Sequence, residues 1–125
     1  MQKRLFASLL GFILWAPPIF TQTYTAPGGV LPDDGGFYMF DLPVTNLQPA
    51  LMDTAHGLVE VCLSITHTYV SDLEISLIAP DGTETFLFRG VGGDGDDFLG
   101  TCFRQDAPQK ISIGQAPFSG MYNPQ

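Results

Sequence analysis

The run from Leu58 to Tyr69 constrains this chain most, because its side chains change character at every step. Val59, Val61, Leu63, Ile65, His67 and Tyr69 share one face at period two. Leu58, Glu60, Cys62, Ser64, Thr66 and Thr68, mostly polar or small, share the other. Successive side chains of a strand point to opposite faces, so this is an antiparallel strand with one face on a core. Asp72 to Ala79 repeats the pattern with Leu73, Ile75, Leu77 and Ala79 inward. Pro80-Asp81-Gly82-Thr83 then makes a turn in which Pro presets φ and Gly permits the left-handed position. Glu84 to Arg89 is the return strand of that hairpin.

Around this hairpin the sequence predicts further short strands. Phe37 to Val44 is a first strand, with Pro43 placing it at an edge or ending it. Phe98 to Arg104 and Lys110 to Ile113 follow a Gly- and Asp-rich loop, Gly90 to Asp97, and Ala116 to Gln125 closes the sequence. Residues 23–36 form a turn-rich lead-in linker. No stretch sustains helical periodicity, and the 14 glycines and 10 prolines are not periodic. With 125 residues there is room for one domain, an all-β sandwich or jelly roll over residues 37–125.

Residues 1–22 are set apart from that fold. Lys3 and Arg4 precede an apolar run, Leu5 to Phe20, that is shorter than the roughly 20 residues of a spanning helix. The layout is that of a secretory signal cut near Gln22, with an uncleaved anchor as the alternative. The run does not end in a cysteine, so a lipid anchor is not expected. Beyond residue 22 the chain holds thirteen acidic residues against Arg89, Arg104 and Lys110, a net charge of −10. Nucleic acids and anionic membranes both require basic patches, so neither is expected as a partner. Cys62 and Cys102 both fall in strands, and in an exported chain the natural reading is one disulfide. The alternative is a pair of buried thiols.

Several segments, taken in order, are similar to a known family. His67-Thr68-Tyr69, Ser71-Asp72-Leu73 and Leu77-Ile78-Ala79-Pro80-Asp81-Gly82-Thr83 come first. Gly92-Gly93-Asp94-Gly95-Asp96-Asp97-Phe98, Thr101-Cys102-Phe103 and Ala116-Pro117-Phe118-Ser119-Gly120-Met121-Tyr122-Asn123-Pro124 follow. Over about residues 38–125 the chain resembles the P, or Homo B, domain of kexin- and furin-like proprotein convertases and of bacterial secreted subtilisin-like proteases. The resemblance implies a jelly-roll-like β-sandwich of antiparallel strands that is not itself an enzyme. It also implies a catalytic or other domain of a longer parent protein as partner, and a role in stabilising or targeting that parent. Fold transfers through such a likeness better than role does. Family members continue into a hairpin with an Asn-Gly-x-Trp segment, whereas here Trp15 is the single tryptophan. The expectation is a C-terminally truncated copy whose missing last strands leave a sheet edge uncovered.

The site readings are few. Asp94, Asp96 and Asp97 lie within four residues among Gly92, Gly93 and Gly95, a loop able to turn several oxygens towards one calcium ion. Asp72 and Asp81, at strand ends, are candidate further ligands. The alternative is an acidic turn without an ion. For catalysis the chain offers His56, His67 and several serines, but no Gly-x-Ser-x-Gly elbow. His67 reads as a structural histidine on the inward face, His56 as a loop residue without a role, and Asp106 as a turn cap. Serine endopeptidase activity in the chain itself is the reading the residues favour least. Phe37, Tyr38, Phe86, Phe88, Phe98, Phe103, Phe118 and Tyr122 are core at strand spacing, or the face of a free-standing cell-surface module that binds glycan or protein.

Overall fold

The computed structural model describes residues 21–125. The secretory signal read over residues 1–22 therefore lies almost wholly outside the described residues. The chain divides into two compact units, residues 1–50 and 51–125.

In the first unit, described from residue 21, no β-strand forms. The Gln22 side chain accepts from the Gln48 N–H at 2.8 Å and donates to the Asn46 carbonyl. Asp34 accepts from the Gly36 N–H at 2.8 Å and from the Tyr38 hydroxyl at 2.6 Å. The strand expected over Phe37–Val44 is absent. Among the described residues no neighbouring strand supplies a ladder there, and Phe37, Met39, Phe40, Leu42 and Val44 are exposed. Alternation alone does not make a strand when no partner pairs with it.

The second unit is all-β, and its two sheets bear out the sandwich class. Five strands form: β1 (Val61–Ile65), β2 (Glu74–Ile78), β3 (Glu84–Arg89), β4 (Phe98–Phe103) and β5 (Phe118–Tyr122). One sheet has the order β1-β4-β5 and the other pairs β2 with β3. The hairpin turn forms as its chemistry dictates, with Gly82 at φ 86 and Ala79 bonded to both Gly82 and Thr83. β1 against β4 and β2 against β3 are antiparallel, but β4 and β5 run parallel. A parallel pair needs a crossover of a dozen or more residues, and residues 104–117 supply it. Within that crossover Ile111–Ile113 is one turn of 3-10 helix and not the expected strand. Pro108 and Gly114 bound the segment, and its pairing reduces to a single bridge between Lys110 and Asn123.

Two bulges decide which side chains reach the core. Leu63 pairs with Thr101 and Ile65 with Phe98, which leaves one extra residue on β4. That residue is Gly100, at φ 62, and its N–H donates to the Ser64 hydroxyl at 2.9 Å. The extra residue resets the alternation, so Phe98 and Thr101 both point inward although three positions apart. On β3, Phe86 and Phe88 take consecutive partners on β2 and leave Leu87 between them, so Leu87 and Phe88 are both buried.

The core joins the two sheets. Val70, Leu87, Phe88, Phe98, Phe103, Ile111, Phe118 and Tyr122 are buried together, with Leu63, Ile65, Ile75 and Leu77 packed against them. The Phe88 and Phe98 rings meet edge to face at 4.8 Å, and Phe118 stands 5.4 Å from Phe88 and 5.1 Å from Phe98. Burying each such ring contributes about 1.5–3 kcal/mol, and each well-oriented pair adds about 0.5–1.5 kcal/mol. The buried Thr101 hydroxyl donates to the Phe118 carbonyl at 2.7 Å, a bond that offsets the cost of taking it out of water.

Candidate functional site

The acidic loop between β3 and β4 is fastened along its length. Gly90 N–H donates to the Leu73 carbonyl at 3.1 Å, and Val70 N–H donates to the Gly95 carbonyl at 2.9 Å. Asp97 accepts from the His67 N–H at 2.9 Å through its carboxylate and donates its own N–H to the His67 carbonyl at 3.1 Å. Asp96 accepts from the Tyr69 N–H at 3.4 Å. The loop thus lies against residues 67–73, whose one-turn 3-10 helix Val70–Asp72 leads into β2.

Two glycines are needed for close approach more than for pliancy. A Cβ on Gly92 would stand 2.7 Å from Val70 Cγ2 and 2.8 Å from Phe118 Cε2. One on Gly95 would stand 2.6 Å from the Ala116 Cβ. The loop is therefore packed onto the core edge, with Asp94 and Asp96 outward and Asp97 half-buried.

The other acidic candidates divide. Asp72 sits in the 3-10 turn against which the loop is fastened. Asp81 does not join them. It caps the β2–β3 hairpin, accepting from the Thr83 N–H at 2.9 Å, and that bond together with the Thr83 hydroxyl holds its carboxyl below the usual range. β3 runs between Asp81 and the loop, about 20 Å of strand at the ordinary rise. Asp106, read as a turn cap, instead takes Arg104 in a two-pronged ion pair at 2.9 Å on each prong. His56 is exposed, its Nδ1 2.8 Å from Asp53, in the polar loop expected for it.

Cys62 and Cys102 form a disulfide between directly opposed residues of β1 and β4. The carboxylate of Glu60 lies 3.2 Å from the Cys62 sulfur. Glu60, Cys62 and Cys102 bring their ligand-type atoms within 4.8 Å of one another, an arrangement that periodicity alone did not single out. The signal was present in the shared outward face of Glu60 and Cys62. In the disulfide state neither sulfur is a thiolate, so the trio offers a metal only the carboxylate.

The aromatic residues are distributed as core. Phe88, Phe98, Phe103, Phe118 and Tyr122 are buried, and half-buried Phe86 stacks under the Arg89 guanidinium at 3.9 Å. Phe37 and Tyr38 belong to the first unit. Among the described residues no helix is long and apolar enough to cross a membrane.

These features define a two-sheet β-module, closed by a cross-strand disulfide, with its acidic loop packed on the core edge. Residues 57–109 match the family model of the proprotein convertase P-domain, which bears out the resemblance over that stretch. The match takes in β1 to β4, the disulfide and the acidic loop. The P-domain is a non-catalytic accessory domain of proprotein convertase and subtilisin-like proteases, and it implies a catalytic protease domain in a parent protein. The disulfide and the family both point to an extracellular context. No curated protein and no solved structure matches the chain.

Proposed function

We propose that the chain is the accessory module of a secreted subtilisin-like serine endopeptidase, exported on residues 1–22, which stabilises or targets its parent protein and binds calcium at the acidic loop. The observation that carries this reading is the P-domain match falling on the disulfide-closed unit. The proposed calcium ligands are Asp94, Asp96, Asp97 and Asp72. In their favour, the loop is fixed through backbone groups, and single oxygens of Asp96 and Asp97 meet the N–H groups of Tyr69 and His67. Each carboxylate retains a second oxygen, and calcium gathers six to eight such ligands.

The parent is tested by reading the native gene on both sides of codons 1–125. A subtilisin-like catalytic domain in the same frame supports the proposal, and an unrelated enzyme there overturns it. Calcium is tested by thermal melting of the chain from micromolar to millimolar ion. At one hundred times its dissociation constant a bound ion adds about 2.7 kcal/mol, a rise of several degrees for a domain of this size. Asp96→Ala should blunt that rise, and a flat curve across the range argues against the ion.

A further inference from the structure

We propose that the Cys62–Cys102 disulfide is a thiol-exchange site: a small cationic thiol attacks the Cys62 sulfur of the folded unit, Cys102 leaves as the thiolate, and the chain carries the thiol reversibly on Cys62. The inference goes beyond the accessory role and does not depend on it, since it uses only the bridge and the side chains around it.

The bridge lies on the face of its sheet turned away from the core. Val61 and Leu63, on either side of Cys62, pack against the core, and Thr101 and Phe103, on either side of Cys102, are buried. The cysteines between them point outward. A strand added in the plane of the sheet would not lie over them. Cys62 is exposed and Cys102 half-buried, and Met121 of β5 holds the register position next to Cys102. Structural disulfides of exported proteins resist thiols, whereas exposed ones are open to exchange. Of the two sulfurs, that of Cys62 is the more accessible.

Charge selects the leaving sulfur in the same direction. In the exchange the attacking thiolate bonds to one sulfur while the S–S bond breaks, and the electron pair departs on the other sulfur as a thiolate. The Glu60 carboxylate stands 3.2 Å from the Cys62 sulfur, so negative charge developing there meets a like charge at close range. Cys102 shares the outward face of β4 with Arg104, a cation that favours the charge on that side. Arg104 is engaged by Asp106 on both prongs and also feels Glu60. One cation between two carboxylates leaves an excess of negative charge around the bridge. That excess, with the net −10 of residues 23–125, draws a cationic thiol and repels an anionic one.

The reverse step needs no oxidant. The Cys102 thiolate attacks the mixed disulfide at Cys62, expels the small thiolate and restores the bridge. The site therefore follows the concentration of the thiol, and its open state releases the clamp between β1 and β4.

The test treats the full chain with cysteamine, stops the exchange with acid and N-ethylmaleimide, and digests with trypsin. Cleavage at Arg89 places Cys62 and Cys102 on separate peptides for mass spectrometry. Cysteamine on Cys62 with maleimide on Cys102 is expected to exceed the reverse by about fivefold or more. Glu60→Gln, at an exposed position, should lower that excess by about threefold. Mercaptoacetate, each thiol's rate being normalised to its rate on neutral hydroxyethyl disulfide, should react about tenfold more slowly than cysteamine at low salt. The rate should stay level over the first additions of urea, because the folded unit reacts. The proposal is overturned by a partition that is even or favours Cys102, or by a ratio that Glu60→Gln leaves unchanged. Equal rates for the two thiols, or a rate that climbs from the first urea, overturn it too.

Discussion

Asp97 and His67 exchange two hydrogen bonds, one through the Asp97 carboxylate and one through its backbone N–H, at 2.9 Å and 3.1 Å. This reciprocal clip holds the start of β4 against the segment that leads to β2. Asp97 adopts φ 68, a left-handed conformation that Asn shares and that other non-glycine residues adopt at a cost.

Removing the clip should loosen the loop and the sheet junction together. Asp97→Ala loses a charged acceptor on a half-buried N–H and keeps the unfavourable φ, a loss of about 2 kcal/mol. Asp97→Asn retains both an acceptor and a tolerance for φ 68, and should cost less than about 1 kcal/mol. Urea unfolding of the two variants checks the order, and equal losses would contradict the clip.

The disulfide separates Cys62 from Cys102 by 40 residues of sequence and clamps β1 to the middle of its sheet. A loop of that size contributes about 4 kcal/mol in the chain-entropy account. The double variant Cys62→Ala, Cys102→Ala should lose a comparable amount in denaturant unfolding. A loss under about 1 kcal/mol would mean that the strand pairing alone fixes β1.

The strands that were legible in the sequence are those whose alternation coincides with a partner. β1, β2 and β3 follow from Leu58–Tyr69, Asp72–Ala79 and Glu84–Arg89, although β1 is shorter than its pattern. Val59 alternates correctly yet stays exposed, because pairing with β4 begins at Val61. Phe37–Val44 alternates without a partner strand, since periodicity describes a face and says nothing of what will cover it. The parallel return of β5 was hidden for a similar reason. Its direction depends on the crossover 104–117, and no local signal carries it. At the loop, the sequence showed aspartates and glycines but not that Gly92 and Gly95 serve close packing, which depends on Phe118 and Ala116 arriving from a distant segment.

That packing yields its own prediction. Gly92 stands at φ 91, and a methyl group there meets Val70 and Phe118, both fully buried. Gly92→Ala combines left-handed strain with overpacking, and should destabilise by about 2–4 kcal/mol. Gly93→Ala, also at positive φ but with open space around its Cβ, should lose only the strain component, about 1–2 kcal/mol. Comparing their melting temperatures separates packing from conformation, and a larger loss for Gly93→Ala would refute the assignment.

Acid should lower the stability of the second unit through carboxylates that the fold holds ionised. Thr83 N–H lowers the pKa of Asp81, Ala55 N–H and then His56 lower that of Asp53, and the Arg104 guanidinium lowers that of Asp106. A carboxyl whose pKa is depressed by folding binds its proton more readily in the unfolded chain. Its contribution is therefore complete above the unfolded value, about 3.9 for Asp, and is lost as pH falls through the lower folded value. The melting temperature should decline from about pH 4 downward, and Asp81→Asn should make that decline shallower, because an amide neither titrates nor loses its acceptor. All three groups are exposed, so each contribution is small and the Asp106 part should shrink with added salt. A melting temperature that holds steady from pH 5 to 2.5, or an acid slope that Asp81→Asn leaves unchanged, would show that the hairpin cap does not couple to folding.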